Sequence, residues 1–293
     1  METKKGKSAQ WIDIEKPTQK DLDWLKKEYD IHPVIIEELR GPSARDRVEA
    51  YKDYLYFIYY FPLYDSSDET SVRTEIDFVI TKNSVVTVHY DPLKEILGGF
   101  EPDKADSSLE IMYAIIEHFI NFEERQLRHI REKVEAVGKE IFKDKEKEVL
   151  ERITYLKRDI SEYRIVVRLQ GPILHSLLNR GKKFWGDDAE VYLSDLMGDQ
   201  QKIVNQLEDY REAISDFEHT NNQLMNLKIN TVMKTFTSLS FLTFPFLLLA
   251  ALFSMNTRDT PIIEMPHAFW IVFAIMILGM IGLVSYFKRK GWF

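Results

Sequence analysis

Two stretches near the end of the chain show no polar period at all. Thr235–Phe253 and Ala268–Phe287 are apolar all round and hold no charged side chain, and the short segment Ser254–His267 separates them. At ~1.5 Å rise per residue, runs of about 20 residues match a hydrocarbon core of ~30 Å. Core helices of a soluble protein run shorter and carry a polar stripe. The pattern predicts two transmembrane helices. Upstream, only Gly198 and Pro245 interrupt Ala189–Phe253, which predicts one helix of about 65 residues that enters the membrane. Before it, Ser107–Phe142 places Ile111, Ala114, Ile115, His118, Phe119 and Phe122 on one stripe and continues as a heptad-like half through Ile130, Val134 and Val137. A charged turn at Lys143–Lys147 leads to a second helix, Glu146–Leu178, and Gly181–Gly186 reads as a solvated loop, with Lys182-Lys183 within reach of lipid headgroups as the alternative.

The first third changes period again. Trp11–Ile14 reads as a strand, and Pro17-Thr18 opens a helix to Tyr29 in which Thr18 caps and Asp21 favours the positive helix end. His32-Pro33 starts another helix, broken at Gly41-Pro42; His32 reads as a cap or packing residue rather than a ligand. The aromatic and aliphatic run Val48–Leu63, edged by Pro62, is a buried strand, followed by strands Arg73–Thr81 and Ser84–His89. The sequence therefore predicts an α+β domain with a largely antiparallel sheet flanked by helices, then long stalk helices, then two C-terminal transmembrane helices. Its expected divisions are 1–105 (α/β domain), 106–188 (helical hairpin), 189–253 (long helix with its span at 235–253), 254–267 (outer loop), 268–287 (second span) and 288–293 (basic tail).

Charge sets the orientation. Lys228 and Lys234 precede the first span and Lys288, Arg289 and Lys290 follow the second, while the loop carries Arg258 beside Asp259 and Glu264. Basic flanks stay in the cytoplasm. Both termini are expected inside, in the plasma membrane of a prokaryote, because the start has no apolar segment of a signal peptide. A net charge of −8 over 293 residues speaks against nucleic-acid binding, and the absence of cysteine removes disulfides and thiolate chemistry. No phosphate loop, zinc-hydrolase or serine-hydrolase motif occurs. Acidic pairs such as Glu123-Glu124 read as helix-surface charges paired with Arg125 or Arg128, so no enzyme and no organic cofactor is expected.

Ser254-Met255-Asn256 closes the first span. Together with Pro245 inside that span, Met265-Pro266 in the outer loop and the basic tail, it resembles the CorA family of divalent-cation channels, whose signature here is Gly-Met-Asn. The resemblance covers nearly the whole chain and implies a homopentamer in the lipid bilayer, with the first span lining a pore for Mg²⁺, Co²⁺ or Ni²⁺, and with Mg²⁺ as both substrate and regulator. It places Ser254, Met255 and Asn256 at the selectivity mouth and a pore ladder on Asn230, Met233, Phe236, Ser240, Phe244, Leu247 and Ala251. Mg²⁺ dehydrates reluctantly, so the neutral side-chain oxygen of Asn256 suits holding the waters of a hydrated ion. Large apolar side chains in the ladder's middle suit gating by dewetting. The family's metal-sensing aspartate pair falls on Asp65 and Asp195. Asp259 and Glu264 would concentrate cations at the mouth. Ser254 stands where the signature has glycine, Leu247 stands at a threonine position, and Phe236 and Phe244 are bulkier than usual there. Two alternatives keep the architecture: a Zn²⁺ transporter of the ZntB type, with His267 at the loop's end, and a non-conducting membrane-anchored structural or signalling homologue.

Overall fold

The computed structural model describes residues 1–43, 45, 47–65, 70–102, 105–255, 262 and 265–290. It divides into two compact units, Met1–Glu218 and His219–Phe293.

The first unit is built on a six-stranded sheet. Its strands are β1 (Glu2–Lys5), β2 (Gln10–Glu15), β3 (Val48–Ala50), β4 (Leu55–Asp65), β5 (Thr70–Ile80) and β6 (Ser84–His89), in the order β1-β2-β6-β5-β4-β3. Every neighbouring pair is antiparallel except β2 beside β6, which run parallel from Gln10↔Ser84 to Glu15↔His89. Leu55 through Pro62 are buried without alternation. A strand reads this way when both faces of the sheet are covered. On one face Phe61 stacks on Phe119, with ring centroids 4.4 Å apart. On the other, Tyr54 accepts the backbone N–H of His32 and Tyr60 donates its hydroxyl to the Ser43 carbonyl.

The covering helices follow their end signals. Helix α1 (Gln19–Tyr29) starts with a capping box in which Thr18 and Asp21 satisfy each other's backbone N–H, and it ends at Asp30 in the left-handed conformation. In α2 (Pro33–Glu38), His32 is the N-cap, its Nδ1 accepting from Val34 N at 3.3 Å. That bears out the capping reading of His32. The short α3 (Lys94–Leu97) precedes α4 (Ser108–Glu140) and α5 (Glu146–Trp185), which lie against the sheet, and α6 (Asp188–Ser254) follows.

Three local expectations change. The run Val48–Leu63 is two strands, because Tyr51 N bonds back to Tyr54 O and turns the chain between them. β1 was not expected, since Glu2–Lys5 has no apolar alternation; it is an exposed edge strand paired with β2. The Gly181–Gly186 loop does not form. Gly181 is buried against Trp185 and Leu193 and α5 runs on to Gly186, whose φ of 96° is the turn that only glycine adopts readily. Lys182 pairs with Glu190 and Lys82 donates to the Phe184 carbonyl, so this corner is tied down by protein.

Close packing constrains one glycine and leaves another open. A Cβ at Gly138 would lie 2.8 Å from the Phe217 ring, whereas one at Gly198 meets nothing within 4 Å. Gly138→Val should lower the unfolding free energy by about 1–3 kcal/mol through overpacking. Gly198→Ala should raise it by about 0.5–1 kcal/mol by removing a helix-interior glycine. Thermal unfolding of the full chain in detergent, followed by circular dichroism, checks both signs.

Candidate functional site

The second unit contains the membrane-type helices: the C-terminal part of α6, and α7 (Ala268–Arg289). Both are long and apolar enough to cross a bilayer. Four hydroxyls of the apolar run are satisfied within the helix. Thr235 donates to Thr231 O, Ser238 to Lys234 O, Ser240 to Phe236 O and Thr243 to Leu239 O, at 2.8–3.1 Å. Hydroxyls bonded to the preceding turn can enter hydrocarbon without a stranded donor.

Two faces of α6 differ. Ser238, Leu242, Phe246, Leu249 and Phe253 are buried or half-buried, and Phe246 meets α7 at Gly279, where a Cβ would lie 3.0 Å from its ring. Met233, Phe236, Ser240, Phe244, Leu247 and Ala251, with Asn230 one turn earlier, are all exposed, Phe236 and Phe244 by 68% and 69%. Ser240, Phe244, Leu247 and Ala251 each lie two positions from a member of the packed stripe. That is a rotation of about 200°, so the expected ladder lies nearly opposite the α7 contact. Around it Phe236, Thr237, Ser240, Phe241, Phe244, Pro245 and Leu248 line an open apolar groove of about 540 Å³.

At the end of α6, Ser254 is the last helical residue and its hydroxyl donates to Ala251 O at 2.9 Å. Its φ is not positive. The backbone here therefore does not require glycine. Met255 N bonds to Leu252 O, and Asn256, Asp259 and Glu264 lie outside the described residues. His267 is left-handed and precedes α7 without capping it through its side chain.

The two expected sensing carboxylates lie on different elements of the first unit. Asp65 ends β4 and is half-buried. Asp195 is exposed on α6 and accepts the Tyr113 hydroxyl at 2.7 Å, an interaction that, after burial, raises the Tyr113 pKa. Among the described residues no group of three or more His, Asp or Glu is arranged to hold a metal ion.

Two acids, Asp77 and Glu75, went unnoticed in the sequence, and a third, Glu123, was misread. Asp77 is buried and accepts from Tyr56 at 2.7 Å and Tyr90 at 2.9 Å; burial pushes its carboxyl up to about 8. Glu75, two residues earlier on the same strand face, accepts Ser43 N and is pushed up to about 7, again by burial. Glu123 is fully buried, and its carboxylate meets Gln170 rather than Arg125 or Arg128, while Glu124 pairs with Lys202. The surface-pair reading of Glu123 is thus corrected. Its spacing of seven from Ile116 and Ile130 and of fourteen from Val137, all buried, was the signal available in the sequence.

A sheet-centred α+β unit, long helices and two apolar C-terminal helices define a membrane protein with its soluble part ahead of its spans. The family profile described as "CorA-like Mg2+ transporter protein" matches residues 6–289, and the chain belongs to this family of ion transporters, which are not enzymes. The cobalt/magnesium transport protein CorA of Thermotoga maritima is 23% identical, the alignment covering 96% of this chain and 83% of that protein. The protein of the same name from Methanocaldococcus jannaschii is also 23% identical, over 96% and 90%. Among solved structures, the complete CorA magnesium transporter of M. jannaschii superposes with a TM-score of 0.85 at 21% identity, covering 98% of this chain and 92% of that one. The ZntB cytoplasmic domain of Vibrio parahaemolyticus gives a TM-score of 0.58 at 13% identity, covering 75% and 89%.

Asp77 carries a pH consequence. Its pKa is about 8 in the fold against an ordinary 3.8, so the fold prefers its neutral form. That preference contributes fully below 3.8 and is lost as pH rises towards 8. Asp77→Asn, which is always neutral, should flatten the decline in melting temperature across this window, as a series of melts of the full chain at stepped pH would reveal.

Proposed function

We propose that the chain forms a homopentameric channel for divalent cations, with Mg²⁺ as its main ion, Co²⁺ and Ni²⁺ also accepted, and the α6 ladder facing the ion path. The observation that carries this reading is the exposed face of α6, which lies opposite the α7 contact and bears the whole ladder. A single chain leaves Phe236, Phe244 and Leu247 bare, and copies ringed about an axis would enclose them. The basic flanks put both termini in the cytoplasm of a cell with this protein in its plasma membrane.

In this reading Asn256 holds a hydrated ion by its side-chain carbonyl, with Ser254 and Met255 beside it, and Asp259 and Glu264 raise the local cation concentration. The rings of Phe236 and Phe244 keep the middle dry when closed, because a divalent ion gains nothing there for the water it would lose. Asp65 of one copy and Asp195 of the next share a regulatory cation, and their mutual repulsion opens the assembly when it leaves. Tyr113 would hold Asp195 ready for that role.

The likeness to a ZntB domain supports Zn²⁺ as the alternative ion. The bulk of the ladder's middle favours a non-conducting homologue as the reading from another class. Flux into liposomes of the purified full chain, compared for Mg²⁺, Zn²⁺, Co²⁺ and Ni²⁺ with and without a proton gradient, separates all three.

Asn256→Ala should abolish selective uptake while assembly persists, and Ser254→Gly should be tolerated, since the Ser254 hydroxyl bonds locally to Ala251 O and the backbone φ there is not positive. Phe236→Ala and Phe244→Ala should raise flux per assembled oligomer. Zero flux of every ion in wild type and both phenylalanine variants would establish the non-conducting reading instead. Replacing both Asp65 and Asp195 with Asn should relieve inhibition by cytoplasmic Mg²⁺; unchanged inhibition would remove them from the sensor.

A further inference from the structure

Each of the three long helices of the first unit carries a fully or nearly fully buried amide or acid among its apolar core positions, and α5 carries Asp159 besides the one considered next. In α4 it is Glu123, between Ile116 and Ile130; in α5 it is Gln170, between Val167 and Leu174; in α6 it is Gln200, between Leu196 and Ile203. They join the elements around them. Gln170 Nε2 donates to Tyr60 O of β4 at 2.9 Å and to Glu123 Oε1 at 2.5 Å. Tyr163 of α5 donates to the Glu123 carbonyl at 2.8 Å. Gln200 Nε2 donates to Val167 O at 3.0 Å, beside the place where Pro172 interrupts the backbone ladder of α5.

This layer has an unbalanced set of hydrogen-bonding groups. Glu123 Oε2, Gln170 Oε1 and Tyr59 Oη are all buried with no hydrogen-bond partner among the described residues. Two of the three accept only, if the carboxylate is ionised. The groups that face Glu123 are Gln170 and Tyr163 from α5 and Tyr59 from β4, with Asp159 acting in turn on Tyr163. No cation among the described residues bears on its carboxyl: Lys202 is held by Glu124, Arg164 by Glu208, and Lys133 by Asp159. A bare buried charge costs far more than a buried neutral acid, and unpaired acceptors add to that cost.

We propose that Glu123 is held as a neutral carboxylic acid whose hydroxyl hydrogen-bonds within this layer, making Glu123–Gln170 a proton-sensitive latch between β4, α4 and α5. The proton supplies the missing donor. Loss of it leaves a buried charge without a counter-ion, a cost larger than the Gln170 amide bond offsets, so a rise in pH weakens the latch. Its direction follows from linkage. Burial pushes the Glu123 carboxyl up to about 8 from an ordinary 4.5, the Gln170 bond opposing the shift. Between these values the closed latch binds a proton that the opened one releases, so stability falls as pH rises through that window and levels off above about 8. The latch does not depend on the chain conducting ions. It lies on the helices that pack with the first part of α6, so it gives the fold a pH response separate from any metal sensor.

The test uses the full chain in detergent, wild type and Glu123→Gln, the latter keeping shape and neutrality. Infrared difference spectra should show a protonated-carboxyl band at pH ~7 in wild type that is missing from Glu123→Gln and disappears with a midpoint near 8. Segment-resolved hydrogen exchange, corrected for the intrinsic pH dependence, should show protection around Glu123 and Gln170 falling by up to about tenfold per pH unit below the midpoint. The variant should hold constant protection in the same segments. The same pH step in both proteins would assign the titration to Asp77 or Glu75 and overturn the latch. A buried water satisfying an ionised Glu123 would leave no such band, and overturn it too. Should Glu123→Gln fail to assemble, wild-type exchange still decides, because no pH step in the α4 and α5 segments sinks the proposal.

Discussion

One helix has to serve two solvents. α6 is continuous from Asp188 to Ser254, and its backbone groups are paired internally along that length except where Pro245 removes a donor. That internal pairing is the condition for entering hydrocarbon, where an unsatisfied amide costs several kcal/mol. The side chains then change their rule along the helix. In the first unit Leu193, Leu196, Ile203, Leu207 and Ile214 make a single stripe, with charged residues on the other sides. Beyond Lys234 the helix is apolar all round, and the hydroxyls of Thr235, Ser238, Ser240 and Thr243 bond to their own backbone. The switch from one-sided to all-round apolarity is what distinguishes a helix packed in water from one that meets lipid.

That rule explains what was legible. All-round apolar runs, the capping box at Thr18 and the break between α4 and α5 follow from local chemistry and stand where the sequence placed them or within a few residues, while the aromatic run is strand over its second part and turns after Ala50. Long-range partnership was harder to see. The edge strand β1 depends on β2 for its existence, and nothing in Glu2–Lys5 announces that pairing. Gly181 looked like a loop residue because glycine usually marks one, but here it lets Trp185 and Leu193 close on the helix.

Sites divided the same way. The ladder on α6 came from the family resemblance, and its spacings of three and four put those residues on one helix face. Its exposure opposite Phe246 required knowing which side meets α7. Glu123 was misread as a surface charge because its neighbour Glu124 and the nearby arginines offered an easy pairing. Heptad position outweighed that local cue: the residue seven before it and the residue seven after it are both core.

Buried acids in this chain share a physical theme. Asp77 is surrounded by tyrosine hydroxyls, Glu75 by a backbone amide, and Glu123 by a glutamine amide, and in each the largest influence on the carboxyl is burial. Groups stabilised as neutral acids contribute little Coulombic attraction, but they demand specific donors and acceptors. Such a network fixes which helix lies against which strand more strictly than leucine and isoleucine alone can, since a one-turn slip would strand every polar atom in it. The cost is that the arrangement holds a buried charge without a counter-ion once the proton leaves. A sheet unit assembled in this way is rigid in one protonation state and looser in the other, and that property comes from the hydrogen-bond inventory of Glu123, Gln170 and Tyr59 rather than from any ion the family transports.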